Sequence, residues 1–156
     1  MSKLAIVLVI AVAVMAVGGF ITYKAVEEAV DDQKDHAEWD YRLDDTQQGS
    51  SMKKVAYTIV IKNTEKDDTK VVKVLCSSFK LSCSDGCTYS VKESGNTGTI
   101  SIATKDGYFG MGPGVSVKMN ETERFTISFE IPKTVTVKSL ELSQHGTSFE
   151  RNTDLL

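Results

Sequence analysis

The longest uninterrupted apolar run comes first. From Leu4 to Tyr23 no charged side chain breaks the stretch LAIVLVIAVAVMAVGGFITY. At 1.5 Å of rise per residue, roughly 20 helical residues cover about 30 Å, the hydrocarbon thickness of a bilayer. Residues 1–23 therefore read as a transmembrane signal anchor. Lys3 and the amino terminus flank one end; Lys24 flanks the other, followed at once by Glu27, Glu28, Asp31 and Asp32. Orientation follows Lys and Arg rather than acids, so the thin positive excess at the start places the N-terminus in the cytoplasm. A cleaved signal peptide is the competing reading, with Ala11-Val12-Ala13 as its small-residue site. It would leave an apolar core of only about seven residues, whereas the run continues well past that point. Both readings export everything that follows.

Behind the run the pattern changes twice. Residues 24–37 are charged and helix-friendly, with Val26, Ala29 and Val30 on one face, and read as a helical stalk. From residue 38 the period becomes two. Trp39, Tyr41 and Leu43 alternate with Asp40 and Arg42, predicting a first strand, and the polar Asp44–Ser51 predicts a loop. Lys54–Lys62 is the clearest strand, rich in β-branched and aromatic residues and stopped by Asn63. Val71–Leu75, Phe79–Cys83, Cys87–Val91, Thr99–Ala103, Val115–Met119, Glu123–Ile131 and Val135–Leu142 follow, separated by turn chemistry. About eight short strands at regular spacing predict an all-β fold, an immunoglobulin-like antiparallel β-sandwich over residues 38–150, with a tail at 151–156. Its expected core is Tyr57, Ile59, Ile61, Phe79, Leu81, Phe125, Ile127, Phe129, Val135, Val137, Leu140 and Leu142.

Three segments carry a family likeness: IVIKNTEKDD at 60–69, FKLSCSDGCTYSV at 79–91 and NETERFTISFEIPK at 120–133. From Tyr57 to Leu142 the chain resembles the telokin-like, immunoglobulin-fold domains of unknown function found behind lipoprotein or transmembrane anchors in prokaryotes. The resemblance implies a strand ending in an asparagine-containing turn, then an F-x-L…D-G…Y hairpin and a later strand closing in F-x-[IV]-P. It implies a fold and no chemistry. The chain departs from that pattern in placing Cys83 and Cys87 around the Asp-Gly turn.

Composition changes the picture little. Charged residues make up 25% and the net charge is −3, spread along the chain, so no broad basic surface for nucleic acid is expected. The three cysteines, Cys76, Cys83 and Cys87, are an odd number for an exported chain. Ser84-Asp85-Gly86 fits a short hairpin loop with glycine at the left-handed position, which sets Cys83 opposite Cys87 as a disulfide candidate. A bridge from Cys76 to either partner, or three reduced thiols, are the alternatives. No fourth ligand accompanies the cysteines, so neither metal nor other cofactor is expected. Asn120-Glu121-Thr122 is an N-glycosylation sequon in an expected turn.

The segment Asp106–Gly114, DGYFGMGPG, is the most distinctive. It lacks the Gly-Lys-Ser/Thr and following helix of a phosphate loop. Either it is a wide connection whose Tyr108 and Phe109 tuck into the sandwich end, or Tyr108, Phe109 and Met111 are exposed as a contact loop for a partner. His36 and His145 stand without a serine, cysteine or acid at triad spacing, and Asp31, Asp32 and Asp35 lack the central glycine of a calcium loop. No catalysis is expected. The chain reads as a single-pass membrane protein whose extracytoplasmic domain makes protein–protein or envelope contacts, with self-association through the stalk as a further candidate. An alternative is a structural or stator-like accessory subunit of an archaeal surface filament, though the chain shows no processing-site pattern with an acid shortly after it.

Overall fold

The computed structural model describes residues 34–156; the apolar run, and the stalk before Lys34, lie outside them. Strands make up most of the described chain: β1 (Asp35–Gln48), β2 (Met52–Asn63), β3 (Val71–Leu75), β4 (Phe79–Cys83), β5 (Thr88–Ser90) and β6 (Glu93–Gly95), then β7 (Gly98–Ala103), β8 (Phe109–Lys118), β9 (Thr122–Pro132), β10 (Val137–Leu142) and β11 (Thr147–Arg151). They form a five-stranded sheet in the order β11-β1-β2-β9-β6 and two three-stranded sheets, β10-β4-β5 and β3-β8-β7. All pairings are antiparallel except β1 with β11. The result is a β-sandwich.

Its core comes from alternate positions, as period-two burial requires. Trp39, Tyr57, Ile59, Ile61, Phe125, Ile127, Phe129 and Ile131 of the large sheet are buried. They belong to one cluster with Val72, Val74, Val115 and Val117 of one small sheet and Phe79, Leu81, Cys83 and Leu140 of the other. Phe79 sits edge-on between Trp39 at 5.9 Å and Phe125 at 5.8 Å, joining two sheets. Each such ring pair adds about 0.5–1.5 kcal/mol beyond its area. Of the expected core, ten side chains are buried and Leu142 packs partly buried against the cluster, while Val137 is 37% exposed. A register irregularity between Val137 and Ser139 accounts for that, shifting the phase of β10 against β4.

Four differences from the pattern-based reading share one reason: backbone pairing does not need apolar side chains. The strand β1 begins at Asp35, inside the expected stalk, because Asp35 and Ala37 are already paired with Thr147 and Phe149. It also runs through the polar tract to Gln48, after a bulge between Leu43 and Asp45, with the turn confined to Gly49–Ser51. Polarity there marks exposure rather than a loop. Two short strands, β6 and β11, carry too few apolar residues to signal themselves.

Candidate functional site

The β7–β8 hairpin is built by its glycines. Thr104 N–H donates to Tyr108 O and Gly107 N–H to Thr104 O, with Gly107 at φ +78, a tight turn that needs a left-handed residue. Along β8, Gly110, Gly112 and Gly114 alternate with Phe109, Met111 and Pro113. The glycine side lies against Leu75: a Cβ at Gly110 or Gly112 would sit 3.6 or 3.8 Å from its methyl groups. A Cβ at Gly114 would lie 2.3 Å from Val74 O, which no side chain tolerates. The register sets Lys73 opposite Ser116 and Ser101 opposite Met111, well apart on β8, yet Lys73 Nζ donates to Ser101 O at 3.5 Å. The hairpin therefore bends over β3.

With glycines on the inner side, the side-chain-bearing positions face out. Tyr108 is 76% exposed, Phe109 79% and Met111 75%. They do not tuck into the end of the sandwich, the outcome expected of a mere wide connection. The stretch Phe109–Gly114 is also strand rather than loop.

Beside the tip lies an open cleft of about 390 Å³, lined among others by Asp35, Lys73, Ser101, Phe109, Gln144 and His145. Sequence reading did not find it, because it joins positions distant along the chain. Its polar groups are largely committed to the fold. The Gln144 side chain accepts from Leu75 N–H at 3.0 Å and Ser78 Oγ–H at 2.9 Å and donates to Lys73 O at 2.6 Å. Asp35 faces Lys70 at 3.6 Å. His145 is exposed on the turn ahead of Gly146, at φ +77. The carboxyls held below their usual range, those of Asp67, Asp85 and Glu93, lie elsewhere, and each owes its shift first to a local hydrogen bond, from Thr69, Tyr89 and Lys54 respectively. That is turn and strand-edge chemistry.

The Asp-Gly hairpin between β4 and β5 forms as expected: Gly86 adopts φ +78, Gly86 N–H donates to Cys83 O, and Cys83 N–H donates to Cys87 O. Asp85 clasps the turn by accepting from Cys87 N–H at 3.0 Å and from the Tyr89 hydroxyl at 2.7 Å. The Cys83–Cys87 bridge expected across it is not formed. Cys76, Cys83 and Cys87 are all free thiols, Cys83 buried and Cys87 exposed. The physical reason is placement: Cys83 is turned into the core, whereas Cys87 stands exposed beside the turn, so the two sulfurs are not brought together. Asn120 is exposed at φ +60 in the turn closed by Glu121 N–H to Lys118 O, as its sequon position implied.

Among the described residues no group of three or more His, Cys, Asp or Glu side chains is placed to hold a metal ion. Among the same residues no helix is long and apolar enough to cross a membrane. Comparison of the chain with protein-family models, with curated proteins and with solved structures finds no match. Fold and site together define an all-β, sandwich-type protein with an apolar hairpin tip.

Proposed function

We propose that the protein is a membrane-anchored, extracytoplasmic contact module without catalytic activity, its sandwich being of the telokin-like immunoglobulin type and its working surface the β7–β8 hairpin tip. The observation that carries this reading is the tip itself. Of the large apolar side chains that the described chain leaves exposed, Tyr108, Phe109 and Met111 stand out: they are about three-quarters exposed, against 54% or less for Leu43, Met52, Val71, Val137 and Leu156, and they lie next to one another. Exposed apolar groups of this kind mark interaction sites. The apolar run at residues 4–23 supports the anchor, and the two-residue alternation that follows supports an exported sheet domain. The free cysteines neither help nor oppose export.

A photo-crosslinking residue at position 109, in the full chain on intact cells, tests it against the same residue at Leu43, which is also exposed but outside the tip. Adducts specific to position 109, abolished by Tyr108→Ser with Met111→Ser, are expected. Equal labelling from both positions, or a protein that protease shaving of whole cells cannot reach, would overturn the reading.

A further inference from the structure

We infer that the partner of the hairpin tip is the bilayer that carries the anchor: Tyr108, Phe109 and Met111 insert into the headgroup region of that membrane. The inference rests on the anchor reading above and names the occupant of the same surface.

Size argues first. A specific protein partner ordinarily covers about 800 Å² per side, and three side chains of this kind present on the order of 500 Å² at most. The surroundings enlarge the patch only at its edges, through the exposed Pro113 and the partly covered Val71 beside the cleft; on the neighbouring strand Thr99, Ser101 and Ala103 stand opposite Pro113, Met111 and Phe109. A small, projecting, aromatic tip suits a lipid interface, where tyrosine is enriched because its ring has an apolar body and a polar end. Phe109 supplies apolar depth, and Met111 an adaptable chain.

Position argues second. The described chain begins beside the tip's own cleft, since Asp35 and Phe109 both line it. Whatever conformation they adopt, residues 24–34 reach no more than ~40 Å when fully extended. An anchor at residues 4–23 therefore keeps Asp35, at the edge of the tip's cleft, within that distance of lipid, and holds the tip at a high effective concentration near it. The charges at the turn, Lys105 and Asp106, cancel. Insertion consequently does not require anionic lipid.

The test is made on the full chain with Phe109→Trp, reconstituted in phosphatidylcholine vesicles containing lipids spin-labelled near the headgroup. The native Trp39 is buried and serves as an internal reference. The added emission is expected to shift to the blue and to lose most of its intensity to the shallow spin label, whereas a Leu43→Trp variant keeps a water-like spectrum. Adding phosphatidylserine should change neither result. If the protein remains vesicle-bound while the residue-109 emission stays water-like and open to aqueous quencher, the membrane contact is overturned and the anchor stands. A blue shift that grows with protein-to-lipid ratio, without spin-label quenching, assigns the tip to a second copy and also overturns it. A chain that does not float with the vesicles removes the anchor and this inference together.

Discussion

Asn63 ends β2 fully buried, with both amide protons and its carbonyl oxygen hydrogen-bonded. The amide Nδ2 donates to Lys70 O at 3.2 Å and Val117 O at 2.9 Å, and Oδ1 accepts from Glu65 N–H at 2.8 Å. One side chain thus ties the end of β2 to the approach to β3 and to β8. Asn63→Ala strands those groups where water cannot easily replace the amide, so a loss of about 2–3 kcal/mol is expected, read as a lower urea midpoint at unchanged slope. The cysteines give a second prediction at this scale. Burial pushes the Cys76 and Cys83 thiols up, which keeps them protonated as well as inaccessible, while Cys87 is exposed. The native protein should react with a thiol reagent at Cys87 alone, and the unreduced, unfolded protein at all three positions. Fewer than three reactive thiols on unfolding would reinstate a bridge.

At the scale of the element, β8 shows what alternation with glycine achieves. A Cβ at Gly114 would stand 2.3 Å from Val74 O and 2.6 Å from the Ile100 side chain, and a carbonyl in a paired strand has nowhere to go. Gly114→Ala should cost at least ~2 kcal/mol and detach the hairpin from β3. Gly112→Ala, with its nearest contact at 3.8 Å, should stay within about 0.5 kcal/mol of the parent. Equal melting behaviour of the two variants would refute the bent-over hairpin. The same segment measures how far the sequence could be read. Phe79–Cys83 was legible to the residue because it alternates apolar and polar side chains across a buried face, and Val71–Leu75 because it is a short β-branched run between polar stretches. Asp-Gly marked the 83–87 turn through the φ that only glycine adopts cheaply. What stayed hidden depended on pairing between remote backbones: β11 beside β1, the outer half of β1 on β2, and the first half of β8 on β7. Tyr108, Phe109 and Met111 could be singled out as unusual, but their direction was decided by the fit of Leu75 against glycine, a contact between segments far apart in the chain. The cleft was invisible for the same reason.

For the whole molecule, the decisive contact joins the two ends of the sheet domain. The strand β11 runs parallel to β1, and the residues expected to form a tail act as a clamp. Arg151 Nε donates to Asp40 at 2.5 Å, and the guanidinium lies 3.9 Å from the Tyr41 ring centre. Asn152 N–H then donates to Trp39 O at 2.9 Å, and its amide to Glu38 at 2.8 Å. Asp40 is 4% exposed, so removing its partner leaves a carboxylate that neither water nor another cation shown against it satisfies fully. Breaking a fully buried pair costs about 3–5 kcal/mol; Arg151 is 39% exposed at its side chain, so Arg151→Ala should cost less, about 1–3 kcal/mol. Asp40→Asn in the same chain removes the stranded charge and should recover part of that loss, giving a coupling energy clearly different from zero. Strict additivity of the two substitutions would mean that the pair is only a surface contact. Arg151→Lys separates charge from shape: it keeps the cation but loses the planar group over Tyr41 and Trp39, and should fall between parent and Ala. A chain ending at Gly146 goes further, because it opens the edge of β1 from Asp35 to Trp39. An unpaired edge recruits other edges, so that truncation should associate in a concentration-dependent way where Arg151→Ala remains dispersed.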